Sequence, residues 1–300
     1  MLTNLLSLFI ASSLSPDINL TLQNSSANNI VKLASNNLSF ISEQQNGPAK
    51  DPLFISPIID AKSVISIDLN SGEILFEKNL HSRRAIASIT KLMTVLIILE
   101  ENNLNETATV SANAASVEGS QMNLRQNEEI TIKNLIYGAL VHSANDAAIT
   151  LAEHNAGSVN AFVEKMNEHA LELGLVNTHF ATPHGLDHPN NYSSAYDVAK
   201  LGKYIYQYPF VKEAAQIEAI EVQSIDEKYK HKLKSTNDLL NSFINFKGLK
   251  TGRTDAAGLC LISVAENENK NEIITVVLGS PARFRETKIL AEWIFRAYKW

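Results

Sequence analysis

Three short stretches carry residue types whose spacing could do chemistry. The first is Ser88-Ile-Thr-Lys91, in "IASITKLMT". Positions i and i+3 of a helix share a face, so this hydroxyl and this amine can touch. A free serine is a poor nucleophile, and an adjacent base activates it. A lysine fills that role only while neutral, which desolvation and a nearby positive charge both promote. Alone, the pattern reads equally as a serine cap followed by a surface lysine. The second stretch is Ser143-Ala-Asn145, in "LVHSANDAA". A break between two helical segments there lets short polar side chains project into a cleft. Ser143 could relay a proton, and Asn145 could hold a substrate amide through its paired donor and acceptor. The plain alternative is a helix-capping turn. The third is Lys250-Thr251-Gly252, in "FKGLKTGRTDAAGLCLISV". Lysine supplies charge, threonine a hydroxyl for a carboxylate, and glycine a close approach of ligand to backbone. The plain alternative is a loop entering a strand.

Such residues need elements to hold them. A helix is expected from Ser88 to about Glu101, anchored in a core by Met93 to Leu99. Before it, "AKSVISIDLNSGEILFEKN" alternates apolar and polar residues on both sides of "NSG", a hairpin signal. Residues 105–132 mix short strand and loop signals. Helical periodicity returns in "IKNLIYGALVHSANDAAITLAEHNAG", with a break near His142–Asn145. Val159, Phe162, Val163, Met166 and Leu173 form one stripe that ends at Gly174 and reads as core. Ser194 and Asp197 have capping-box spacing before a helix that stops ahead of Pro209. "IEAIEVQS", "GLCLISVAE" and "EIITVVLG" are strand-like, and an amphipathic helix closes the chain from about Arg283 to Trp300. Strands, a helical middle, strands and a helix predict an α/β sandwich. Its sheet comes from both chain ends, and a mostly helical subdomain is inserted.

Composition narrows the function. The chain has 300 residues, 45% hydrophobic and 19% charged, enough for a sizeable core. A formal charge of -6 argues against nucleic acid as a general partner, which needs a cationic face. Cys260 is the one cysteine, so there is neither an intramolecular disulfide nor a cysteine metal cluster. It reads as a buried small hydrophobe. Residues 1–19 hold a short apolar stretch and a small-residue cleavage site but no basic start, a weak export signal too short to span a bilayer. Residues 20–57 are Asn/Ser-rich and read as a linker, and 58–300 as the folded domain.

S-x-x-K, then S-x-N, then K-T-G, in that order across one domain, is the pattern of the penicillin-recognising serine hydrolases. "IASITKLMT", "MNLRQNEEITIKNLIYGALVHSANDAA", "FVEKMNEHALELGLVNTHFATPHGLDHPNNYSSAYDVAKL" and "FKGLKTGRTDAAGLCLISVAE" resemble the D-alanyl-D-alanine carboxypeptidase family, the low-molecular-weight penicillin-binding proteins. The resemblance runs from about Ile58 to Trp300. It implies a β-lactamase/transpeptidase-like α/β fold, with a mainly antiparallel sheet flanked by helices. It also implies Ser88 as acylated nucleophile, Lys91 as general base and Ser143 as proton relay. Asn145, Lys250, Thr251 and Gly252 would bind substrate, and the N–H groups of Ser88 and Arg253 would form the oxyanion hole. The substrate would be a peptidoglycan stem peptide outside the cytoplasm, and β-lactams would acylate Ser88. Neither metal nor cofactor is implied.

Arg253 stands beside Thr251 and is expected to add to carboxylate binding; its plain reading is an exposed arginine. His184 and His142 suggest a Ser-His triad, but lysine already fills the base role. A class A β-lactamase would need a glutamate for deacylation, and Glu172 is the candidate, although its surroundings fit the carboxypeptidase pattern. A DD-endopeptidase of the same family is the nearer rival, because a further β-rich domain and a C-terminal amphipathic anchor are not evident. A non-catalytic wall-binding protein is the last reading, against which all the catalytic positions are intact.

Overall fold

The computed structural model describes residues 47–300. The expected export segment, and the linker as far as residue 46, lie outside the described residues. The chain first forms β1 (Ala49–Lys50), β2 (Ser63–Asp68), β3 (Ile74–Lys78) and α1 (Lys91–Glu101). There follow β4 (Thr107–Thr109), α2 (Ala112–Ala115), β5 (Glu129–Thr131), α3 (Ile132–Leu140), α4 (Asn145–Ala156) and α5 (Val159–Glu172). Next come α6 (Ala195–Ile205), α7 (Pro209–Ala214), β6 (Ala219–Gln223) and β7 (Lys230–Lys234). The last elements are β8 (Asn245–Thr254), β9 (Gly258–Glu266), β10 (Glu272–Ser280), α8 (Arg283–Ala297) and β11 (Tyr298–Lys299).

One sheet runs in the order β3-β2-β10-β9-β8, antiparallel throughout. Its strands come from before and after the helical middle, which is the expected sandwich. Side chains alternate between its faces. Ile65, Ile67, Ile262, Val264, Ile274 and Val276 join the core that contains α1 and α6. Leu261, Ala265 and Ile273 instead meet Ala291 and Ile294 of α8, while Val64 and Val277 meet Leu290. Both faces are therefore largely apolar, and "IITVV" reads as a hydrophobic run interrupted only by Thr275. At Gly202 of α6 a Cβ would lie 2.2 Å from Ile262 Cδ1, so the helix seats closely on the sheet.

Several expected elements differ. β6 does not join the main sheet; it pairs with β7, Glu221 opposite Lys232. β7 is "KHKLK", whose alternating lysines hide a strand behind polarity. The closing helix stops at Ala297, because Tyr298 and Lys299 are extended and pair with Lys50 and Ala49. That pairing also brings into the fold two residues of the stretch read as linker. Ser194 does cap α6, its side chain accepting from the Asp197 N–H. The reciprocal half of the capping box is missing, since Asp197 Oδ2 accepts instead from Asn177 N and Thr178 Oγ1. The α5 stripe is core as expected, with Phe162 and Met166 fully buried, and so is Cys260, whose thiol burial pushes up to about 11. No helix among the described residues is long and apolar enough to cross a membrane.

Candidate active site

α1 lies within the main core of the described residues. Lys91 to Ile98 are buried without a break, as befits a helix apolar on almost every side. Ser88 itself is not in the α-helix. It sits in a 3-10 turn, Ala87–Thr90, that leads into α1, and it is partly exposed while both its neighbours are buried. Ala87 holds a left-handed backbone, φ +50°, unusual for a residue with a side chain. The Pro183–Leu186 loop is locked onto this turn. Gly185 has φ +86°, and a Cβ there would lie 2.1 Å from the Ala87 carbonyl oxygen. Thr94 Oγ1 donates to Pro183 O at 2.6 Å.

Lys91 is 0% exposed. Its Nζ stands 3.0 Å from Ser88 Oγ, 2.7 Å from Asn145 Oδ1 and 2.8 Å from the His184 carbonyl oxygen. Burial, and then the positive charge of Lys250, hold the amine well below the usual lysine range, against the opposing pull of Asp146. As a neutral amine Lys91 has two hydrogens and one lone pair. Asn145 Oδ1 and His184 O can only accept, so they take the hydrogens. The lone pair is left for the Ser88 hydroxyl.

Asn145 opens α4. Its backbone N–H donates to Ser120 O at 2.7 Å and its Nδ2 to Glu118 O at 2.7 Å, which fixes the amide with Oδ1 toward Lys91. Ser143, two residues earlier, is buried in a left-handed conformation, φ +63°, that breaks α3 from α4. Its hydroxyl makes no hydrogen bond within the described residues. The buried Asp146 carboxylate accepts from Met122 N, Leu124 N and Ala147 N, tying the 121–125 loop to this helix start.

β8 is the edge strand of the sheet, and it runs past the Ser88 turn. At Gly252 a Cβ would lie 2.7 Å from Ile86 O and 3.2 Å from Ser88 N, so only glycine lets strand and turn meet. Lys250 is 1% exposed, and its Nζ donates to Thr251 O at 3.0 Å. Burial and the Arg283 guanidinium pull its amine down to about 7. Thr251 Oγ1 lies 2.5 Å from Thr236 Oγ1. The Arg253 side chain is exposed.

Sequence reasoning had not placed several contributors here. The His184 and Glu118 carbonyls are backbone groups and leave no trace in residue type. Arg283, which donates through Nη1 to Gly252 O at 2.7 Å, sits on α8, 31 residues beyond that glycine. The one sequence cue was the glycine in "PHGLD". The His184 ring accepts from Leu186 N at 3.1 Å, and burial and Lys91 push it down to about 3, so it stays neutral and turned to its own loop. His142 Nδ1 faces Lys234. Neither histidine bonds Ser88. Glu172 is exposed at the end of α5. It adds its field to His169, whose ring meets Glu100 at the opposite end of α1 from Lys91. That is about 13 Å along the helix axis, which leaves it no access to the Ser88 site.

Residues 50–282 match the family model described as D-alanyl-D-alanine carboxypeptidase. The chain belongs to this family. It is 36% identical over 248 residues to D-alanyl-D-alanine carboxypeptidase DacF of Bacillus subtilis, covering 80% of this chain and 63% of that protein. It is 32% identical over 243 residues to the D-alanyl-D-alanine endopeptidase of Escherichia coli, covering 79% of this chain and 78% of that one. The Streptomyces K15 DD-transpeptidase crystal structure superposes with a TM-score of 0.76 at 28% identity, covering 81% of this chain and 99% of the other. The chain thus spans less than two thirds of the length of the curated carboxypeptidase, and the family membership rests on its 50–282 region.

Proposed function

We propose that this family member is a serine-type D-Ala-D-Ala carboxypeptidase that acts outside the cytoplasm on peptidoglycan stem peptides. The observation that carries the proposal is the buried Lys91 amine with its lone pair toward Ser88 Oγ at 3.0 Å. Lys91 takes the Ser88 proton as Oγ attacks the carbonyl between the two D-alanines. The oxyanion forms against the Ser88 and Arg253 N–H groups. The first N–H groups of a helical turn lack intrahelical acceptors, so the Ser88 N–H is available. The C–N bond breaks, and the leaving amine of D-alanine takes a proton delivered by way of Ser143. Water then cleaves the Ser88 ester and releases the shortened peptide.

The substrate carboxylate goes to Lys250 and Thr251. Lys250 is a buried cation with one hydrogen bond to a backbone oxygen, and an anion would compensate it. With Thr236 as donor to Thr251, the Thr251 hydroxyl is free to donate to the carboxylate. Arg253, exposed beside them, adds charge at the rim. A β-lactam carries the same acyl centre and carboxylate and would acylate Ser88 with slow release.

The test is mass spectrometry of purified peptidoglycan fragments after incubation, monomeric and cross-linked. Loss of one terminal alanine from monomers is expected, and Ser88→Ala should abolish it. Conversion of dimers to monomers with intact ends would instead favour the second reading, DD-endopeptidase, which the Escherichia coli relative keeps in view. Rapid turnover of penicillin would sink both.

A further inference from the structure

A cavity of ≈ 430 Å³ opens between the 121–125 loop and β7. Arg125, Lys228, Lys230 and Lys232 line it, with His142 at one side, and no aspartate or glutamate lines it. This is unexpected in a chain of formal charge -6. The nearby acids lie outside this lining. Glu128 is buried and bonds His231 Nε2 at 2.6 Å and Arg125 N at 3.0 Å. Glu221, on the β6–β7 surface, reaches Lys230 at 3.6 Å, and Asp226 accepts from Ser224 Oγ and the Lys228 N–H; with Glu227 at the turn, these exposed carboxylates are outnumbered by Arg125, Lys228, Lys230, Lys232 and Lys234.

The residues that line the cavity are neighbours in the chain of those that build the cleft already described. His142 lines it and directly precedes Ser143. β7 leads from its lysines to Lys234, whose N–H meets His142 Nδ1 at 3.3 Å. Two residues further on, Thr236 contacts Thr251. The 121–125 loop that forms the other wall is pinned by Asp146, next to Asn145.

We infer that this cationic groove binds a carboxylate-bearing segment of the substrate peptide, upstream of the two terminal alanines. The inference rests on the D-Ala-D-Ala reading of the cleft. Charge complementarity selects an acidic peptide, and the path along β7 to Thr251 places that segment on the same chain as the reacting end. Lysines on a strand offer point charges rather than a bidentate fork. They would therefore draw carboxylates without fixing one geometry, and the attraction would weaken with salt.

The test uses Ser88→Ala, which binds without turnover, and two fluorescent peptides ending in D-Ala-D-Ala. One carries two glutamates upstream, the other two glutamines. At low salt the acidic peptide is expected to bind roughly 5- to 10-fold tighter. The preference should vanish in the same protein carrying K228Q, K230Q and K232Q, and at 0.5 M salt, while the glutamine peptide binds both proteins alike. Equal binding of the two peptides, or a preference that survives the triple substitution, would overturn the groove. So would inorganic polyphosphate binding more tightly than the acidic peptide and displacing the glutamine peptide no less well, which marks a general polyanion surface. Turnover of the glutamine peptide by the unsubstituted protein tests the carboxypeptidase reading separately, so each failure identifies its own cause.

Discussion

In the proposed mechanism two lysines of opposite use stand within the same site. Lys91 must be neutral to accept a proton, and Lys250 must be charged to hold a carboxylate. Burial lowers both, and each has a cationic neighbour: Lys250 for Lys91, and Arg283 for Lys250. A group whose pKa is lowered loses its charge earlier as pH rises. kcat/KM, which reports the free enzyme, should therefore climb as Lys91 deprotonates and fall as Lys250 loses its charge on the alkaline side of about 7. Both limbs are expected below the ordinary lysine range, measured with a D-Ala-D-Ala peptide across pH 5 to 10. A single rising limb near 10.5 would contradict the arrangement. Arg253 makes a milder demand. Its exposed guanidinium should lower KM only a few-fold, so Arg253→Ala should raise KM about 2- to 5-fold with kcat unchanged. An unchanged KM would remove Arg253 from carboxylate binding.

At the scale of elements, the site is a contact between one turn and one edge strand. β8 reaches Ser88 only because residue 252 has no side chain. In Gly252→Ala the new methyl meets Ile86 O, which is backbone and cannot rotate away. Strand and turn must then separate by some tenths of an ångström. Thermal unfolding should report a loss of about 1–3 kcal/mol, and penicillin acylation should fall by about 10²-fold because the proposed oxyanion donors sit on the two separated pieces. Retention of wild-type acylation would mean that the two elements are not coupled. The hydrophobic patterns of α1, α5, β9 and β10 were legible, since α5 carries one stripe and the others are near-continuous apolar runs that can only be buried. β7 was not, because its outward lysines alternate with His231 and Leu233 in a run too polar to read as strand. Nor was the 3-10 turn at Ser88, which depends on Ala87 adopting a left-handed backbone beneath Gly185.

At the scale of the whole molecule, α8 is brought to a site that begins at α1, the first helix of the described residues. Arg283, at the start of α8, donates to Gly252 O and Cys260 O and places a positive charge beside Lys250. Arg283→Gln should let Lys250 keep its proton to higher pH, moving the alkaline limb of kcat/KM upward. A general loss of activity with an unmoved limb would make Arg283 a structural support alone.

The order of S-x-x-K, S-x-N and K-T-G, with periodic helices and strands around it, was enough to determine the family, the α/β sandwich and the residues to watch. These depend on residue type and local spacing, which a sequence carries directly. It could not reveal which atoms hold the Lys91 hydrogens, because two of those partners are backbone carbonyls or depend on one. It gave no sign that Arg283 tunes Lys250, nor that the β7 lysines and Arg125 share a cavity. Those are through-space relations between distant segments, and only the packing of helix against sheet decides them.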